Sequence, residues 1–193
     1  MSNAAVEHNS TGIPHGKLGM WVFLASEIML FGAFISAYIV LRMGSPNFGV
    51  PDEAIMGRPL ATLNTFVLIT SSVTMVLALA ALQRDNIKSF ATYLVLTSFL
   101  GLAFLGIKAF EYHHKIAEGL TISSGLFGSF YFTLTGLHAL HMIGGLVFNT
   151  YILWNGLRGK YSSQHFERVE YAGLYWHFVD LVWVVLFPVF YLV

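Results

Sequence analysis

The sequence predicts an all-α polytopic membrane protein with five transmembrane helices, and three observations predict it. The 193 residues are 56% hydrophobic and 10% charged, against about 25% charged in ordinary soluble domains. Mean hydropathy is +0.67. Five segments reach the roughly 20 apolar residues that a helix needs to cross the hydrocarbon core, and polar or glycine- and proline-rich stretches separate them. The formal net charge is zero, so no basic face points to nucleic acid. With no cysteine, disulfides and thiolate metal sites are excluded.

Residues 1–16 form a polar tail without the apolar run of a signal peptide. Residues 17–193 make a single membrane domain. The first span covers 18–41, between Lys17 and Arg42; it is too long for a signal sequence and is expected to stay in the mature protein. A loop broken by Gly44, Pro46, Gly49, Pro51, Gly57 and Pro59 follows. The second span covers 60–82. Gln83-Arg84-Asp85-Asn86 is a tight turn, so the third span, 89–112, is its antiparallel neighbour. After a polar connector, the fourth span covers 124–154, more than a bilayer requires, so it tilts or projects. A charged loop over 155–170 leads to the fifth span, 171–192.

Lysine and arginine favour the cytoplasmic side of a membrane. The N-terminal side and the second and fourth connections hold Lys17, Arg84, Lys88, Arg158, Lys160 and Arg168. The expected orientation is therefore N-terminus inside and C-terminus outside. Small residues recur within the spans (Gly32, Ala33, Ala37; Ser71, Ser72; Gly101, Gly106; Gly136, Gly144, Gly145), where close helix packing in lipid needs them. Trp21, Tyr112, Trp154 and Tyr191 stand near span ends, as interfacial belts do.

Ionisable groups inside a membrane helix are costly and must face protein, water or a partner. Glu27 lies ten residues after Lys17, and Asp180 ten after Glu170. Both spans start on the same side, so both carboxyls are expected about 15 Å deep. His177 stands one turn before Asp180, and the two are spaced to satisfy each other. Glu27 and Asp180 read either as protonatable groups near a proton route or as hydrogen-bonded structural glue. His138 and His141, three apart on the fourth span, offer only two ligands, which is short of a metal site. They are expected to bond to neighbouring helices. Lys108 and Glu111 are spaced for a local ion pair. His8, His15, His113, His114 and His165 fall in loops, and no nucleophile–base set or phosphate loop stands out.

At these residues the chain resembles subunit III of the haem–copper respiratory oxidases, over nearly all its length. Span one reads Leu24-Ala25-Ser26-Glu27-Ile28-Met29-Leu30-Phe31. Span two has Leu63-Asn64-Thr65 and Thr70-Ser71-Ser72-Val73-Thr74, and span three has Leu100-Gly101 and Glu111-Tyr112. Span four has Phe127-Gly128-Ser129 and Thr135-Gly136-Leu137-His138-Ala139-Leu140-His141. Span five has Tyr175-Trp176-His177-Phe178-Val179-Asp180-Leu181-Val182-Trp183. All five in order are specific to the family. The chain is similar to the short five-helix bacterial form and not to the seven-helix one, and Lys108 replaces the glutamine of many relatives.

The resemblance implies a non-catalytic core subunit of cytochrome c oxidase in the bacterial plasma membrane. Such a subunit packs mainly on subunit I, alongside subunit II and other respiratory-complex subunits. It carries no metal and no haem or copper, which belong to partner subunits. It supports proton uptake, prolongs turnover and holds phospholipid. By the same resemblance Glu27, His138, His141, His177 and Asp180 match the family's interior polar set, and Arg158, Lys160 and His165 lie where relatives meet lipid head groups. The alternatives are subunit III of a quinol oxidase, a related respiratory partner, or a free-standing proton-coupled transporter.

Overall fold

A computed structural model describes residues 14–45, 48–49 and 57–192. His8, most of the polar tail, Pro46, Pro51 and Val193 lie outside them. Among the described residues there are five long helices: α1 (His15–Gly44), α2 (Arg58–Gln83), α3 (Ile87–Ala117), α4 (Leu126–Leu157) and α5 (Glu167–Phe187). At Pro188, which lacks a backbone N–H, α5 passes into a π-helical turn, Pro188–Leu192. Each of the five is long and apolar enough to cross a membrane.

The helix ends follow local chemistry. Gly57 caps α2 in the left-handed region at φ 63°, which costs glycine little. Between α2 and α3 the chain reverses over three residues. Asp85 takes a left-handed φ of 55°, and the Asn86 side chain caps α3 by accepting from the Ser89 N–H at 3.1 Å.

Four helix boundaries differ from expectation. α3 runs five residues beyond 112 to Ala117, so Lys115 is a helical residue and not part of a polar connector. α5 begins at Glu167, four residues before 171, and α4 continues to Leu157. The loop between them is therefore short. At the start of the domain His15 and Gly16 already belong to α1.

α2 and α3 form the most extensive antiparallel pair, and α5 packs against both α2 and α4. α1 leans on α5 and, less, on α4. α5 is the most enclosed of the five. Its Trp176 is fully buried and reaches three helices at once. The indole N–H donates to Ser71 Oγ on α2 at 3.1 Å, and the ring lies on Gly101 of α3 and Gly145 of α4. A Cβ added at Gly101 would stand 2.7 Å from Trp176 Cη2, and one at Gly145 3.0 Å from Cε3. Two turns on, Trp183 donates to Thr65 Oγ1 at 3.0 Å and meets the Phe104 ring edge-on. Thr74 and Thr97 join α2 to α3 at 2.7 Å. Lipid tails are as apolar as leucine, so such close packing and interhelical bonds hold a membrane bundle together.

One end of the bundle collects the start of α1, the α2–α3 turn and the α4–α5 loop. Lys17 Nζ meets Glu170 Oε1 at 2.7 Å, and Asp85 accepts from both the N–H and the hydroxyl of Ser163 at 2.7 Å. These contacts place the N-terminal side and the second and fourth connections on one face, as the pattern of spans requires.

The Ser163 bonds hold the Asp85 carboxyl below its ordinary value of 3.8. The clamp's contribution is therefore complete above that value and fades only as pH falls through the lower folded value. Asp85→Ala is expected to speed protease cleavage in the 158–166 loop at pH 7. The parent protein should resist equally at pH 5 and pH 7.

Candidate functional site: polar groups inside the membrane

The sequence suggests that Glu27, His138, His141, His177 and Asp180 share one interior. The structure separates them into three places. Because Lys17 and Glu170 touch, the two carboxyls ten residues beyond them stand at one level, but they face different neighbours.

Glu27 on α1 meets His141 on α4, with Oε2 and Nε2 3.0 Å apart. Both side chains are about 15% exposed (16% and 15%). His141 Nδ1 lies 2.9 Å from the Leu137 carbonyl. A carbonyl can only accept, so Nδ1 carries a hydrogen. A single proton then occupies the Glu27–His141 bond, as carboxylic acid with neutral imidazole or as carboxylate with imidazolium. Phe31 packs edge-on against the imidazole, and Tyr175 donates to the His141 carbonyl at 3.0 Å. This pair can hold a proton between α1 and α4 at the edge of the bundle.

His177 and Asp180 are not paired with each other. His177 Nδ1 bonds Ser72 Oγ on α2 at 2.6 Å, and the Asp180 carboxyl has the same Ser72 side chain as its polar neighbour, too far for a well-formed hydrogen bond. Spacing along one helix favours the pair, but a hydroxyl on the facing helix has captured the imidazole. His138 likewise departs from expectation. It is 1% exposed, neither ring nitrogen is hydrogen-bonded, and its ring packs against Phe104 and Trp183. Aromatic contact replaces the expected interhelical bond. Among the described residues no three His, Cys, Asp or Glu side chains are grouped to hold a metal.

The largest buried polar cluster lies at the other end of the bundle, and sequence reasoning missed most of it. Lys108 Nζ meets Glu111 Oε2 at 2.9 Å, and Lys115 Nζ meets Oε1 of the same carboxylate at 2.7 Å. Tyr131 from α4 donates to Oε1 at 3.0 Å, and Tyr191 from the π-turn donates to the same atom. The three charged residues are at most 4% exposed. Lys108 also lies over the Trp183 ring at 4.6 Å. Positions 108, 111 and 115 share a helical face by spacing, and that was the available signal. It reads as a triad only if α3 continues past Tyr112.

At the N-terminal end, Lys160, Tyr161, His165, Glu167 and Arg168 line a cavity of about 470 Å³. Lys160 and His165 are thus brought together. Arg158 instead places its guanidinium over the Trp154 ring at 4.3 Å. Burial pushes the Tyr161 phenol up from its ordinary value, so at neutral pH it is an uncharged O–H among cations.

The chain matches the family described as Cytochrome c oxidase subunit III over residues 2–193. It is 36% identical over 176 residues to the Cytochrome c oxidase subunit 3 of Alkalihalophilus pseudofirmus, covering 91% of this chain and 85% of the relative. To the Quinol oxidase subunit 3 of Bacillus subtilis it is 32% identical over 191 residues, with 99% and 93% covered. A third relative, the Heme-copper oxidase subunit I+III of Aeropyrum pernix, is 35% identical over 92% of this chain, which corresponds to 22% of that longer protein. Five membrane-spanning helices in the expected order, and a family match from one end to the other, lead to one conclusion: this chain belongs to the cytochrome c oxidase subunit III family, the multi-pass inner-membrane subunit III of a haem–copper respiratory oxidase.

Proposed function

We propose that the chain is the non-catalytic subunit III of a cytochrome c oxidase, that it packs on subunit I, and that it supports proton uptake and sustained turnover. The observation that carries the proton role is the Glu27–His141 pair, with one proton held between two partly exposed side chains within two membrane-spanning helices. A relative that joins subunits I and III in one polypeptide supports subunit I as the main contact. Subunit II completes the assembly, and haem and copper reside in the partners. In this chain His141 is committed to Glu27 and His138 to aromatic rings. The N-terminal face is cytoplasmic in this reading. There Lys160, His165 and Arg168 receive anionic phospholipid head groups, since basic residues at an inner interface attract anionic lipid. Arg158 contributes at the rim.

The test is Glu27→Gln in the assembled oxidase. Initial oxygen consumption and haem content are expected to match the parent. Activity should decay faster during continuous turnover, and proton uptake should slow. His141→Phe is expected to give the same phenotype, because the imidazole holds the proton's other end. Unchanged lifetime and uptake in both variants would reduce the pair to structural glue.

The quinol-oxidase relative is the observation that favours a second reading, a quinol-fed complex with the same role for this chain. The donor preference of the purified complex separates the two.

A further inference from the structure

The Glu27–His141 bond joins two helices that touch little. α1 leans mainly on α5 and only lightly on α4, yet Glu27 Oε2 and His141 Nε2 stand 3.0 Å apart. A hydrogen bond is lost within about half an ångström of stretching. A third element must therefore hold the two helices at this separation.

Tyr175 of α5 does so from both sides. Toward α4, its phenol donates to the His141 carbonyl at 3.0 Å and rests on two glycines. A Cβ at Gly144 would stand 3.3 Å from the phenol oxygen, and one at Gly145 3.3 Å from Cε1. Toward α1, the Tyr175 ring centre lies 6.1 Å from that of Phe23, one turn before Glu27. Glu27 is the titratable side chain that bears on the phenol. His141 is thus fixed twice. Its ring is tied to the Leu137 carbonyl through Nδ1 at 2.9 Å, and its own carbonyl is tied to α5 through Tyr175. On the other side of the pair the packing is apolar. The Phe31 ring centre lies 5.3 Å from the imidazole and 6.3 Å from Phe178. Those rings press on the pair without bonding to it, so the hydrogen bond that sets α4 against α1 comes from Tyr175.

We propose that Tyr175 is the positioning residue of the Glu27–His141 pair. Bonded to the His141 carbonyl and packed on Phe23, it holds α4 and α1 at the separation at which the two side chains share one proton. It acts through the pair and carries no proton to it. This rests on the reading that the pair supports proton uptake. Loss of the hydroxyl frees the His141 turn and lets the carboxyl–imidazole distance lengthen.

The experiment compares Tyr175→Phe, Glu27→Gln and the double variant in the assembled oxidase. Tyr175→Phe keeps the ring against Phe23 and the glycines and removes one hydrogen bond. Proton uptake is expected to slow about twofold to tenfold, the weight of one hydrogen bond, with haem content and retention of this chain as in the parent. Because Tyr175 acts through the pair, the double variant should be no slower than Glu27→Gln alone. The infrared band of the Glu27 carboxyl, identified by its loss in Glu27→Gln, should shift in Tyr175→Phe. Parent-rate uptake in Tyr175→Phe while Glu27→Gln is slow would overturn this inference and leave the proton reading standing. An unshifted band, or losses that add in the double variant, would do the same. Parent-rate uptake in Glu27→Gln would overturn both. Loss of this chain from the complex in Tyr175→Phe would assign the phenol to the fold and overturn the inference as well.

Discussion

Glu111→Gln is expected to destabilise the bundle by about 3–5 kcal/mol, the usual cost of removing one partner from a buried ion cluster. Glu111 is the carboxylate between two buried ammonium groups, Lys108 at 2.9 Å and Lys115 at 2.7 Å. It also accepts from Tyr131 and Tyr191. Its loss leaves two like charges facing each other in a low-dielectric interior with phenols that can no longer anchor them. The cluster joins α3, α4 and the C-terminal π-turn, so the damage should spread beyond α3. The readout is the thermal midpoint of the detergent-solubilised protein. Replacing Lys108, Glu111 and Lys115 together, by Met, Gln and Met, should recover much of the loss, because apolar groups of similar volume often match or exceed a buried ion cluster in stability. If the single variant melts with the parent, the triad is not the charged cluster described here.

Trp176→Ala is expected to cost a similar amount, about 3–5 kcal/mol by the usual scale of large-to-small core changes. Its ring fills the space left by two glycines on different helices, and its indole N–H satisfies Ser71. The truncation opens a void that α2, α3 and α4 cannot close together without moving their backbones. The complementary change, Gly101→Val, forces a branched side chain against Trp176 Cη2, where even a Cβ stands at 2.7 Å. That should destabilise by about 1–3 kcal/mol, as overpacking does. Urea-independent methods suit both variants, and thermal aggregation of the solubilised protein reads them directly. Gly32→Ala is the comparison, since a Cβ there meets nothing within 4 Å, and it should melt with the parent.

The five spans were legible because length and apolarity alone define a membrane helix. That the first and last spans start on one face was legible too, and the Lys17–Glu170 contact agrees with it. Partners across helices were not. Helical spacing points His177 at Asp180, but it contains no information about Ser72, 105 residues away. The Glu27–His141 bond spans 114 residues and depends on how α1 leans on α4. Lys115 was missed for a different reason. A hydropathy reading ends a helix at the first run of charged and histidine residues, whereas α3 continues through His113 and His114 because Glu111 and two tyrosines compensate the lysine charge inside. His138 shows the limit of the rule that buried polar groups are bonded: its ring is held by Phe104 and Trp183. The glycines at 101 and 145 were readable as packing sites, but the residue that they receive could be seen only in three dimensions.

The central claim is that this chain works as subunit III inside a haem–copper oxidase. The most direct measurement is to extract the tagged chain from native membranes in mild detergent, identify the polypeptides that accompany it, and record a reduced-minus-oxidised absorption spectrum. The account predicts co-purifying larger oxidase subunits and haem absorption bands in fixed proportion to this chain. A colourless, solitary five-helix protein, recovered under conditions that keep respiratory complexes intact, would contradict it.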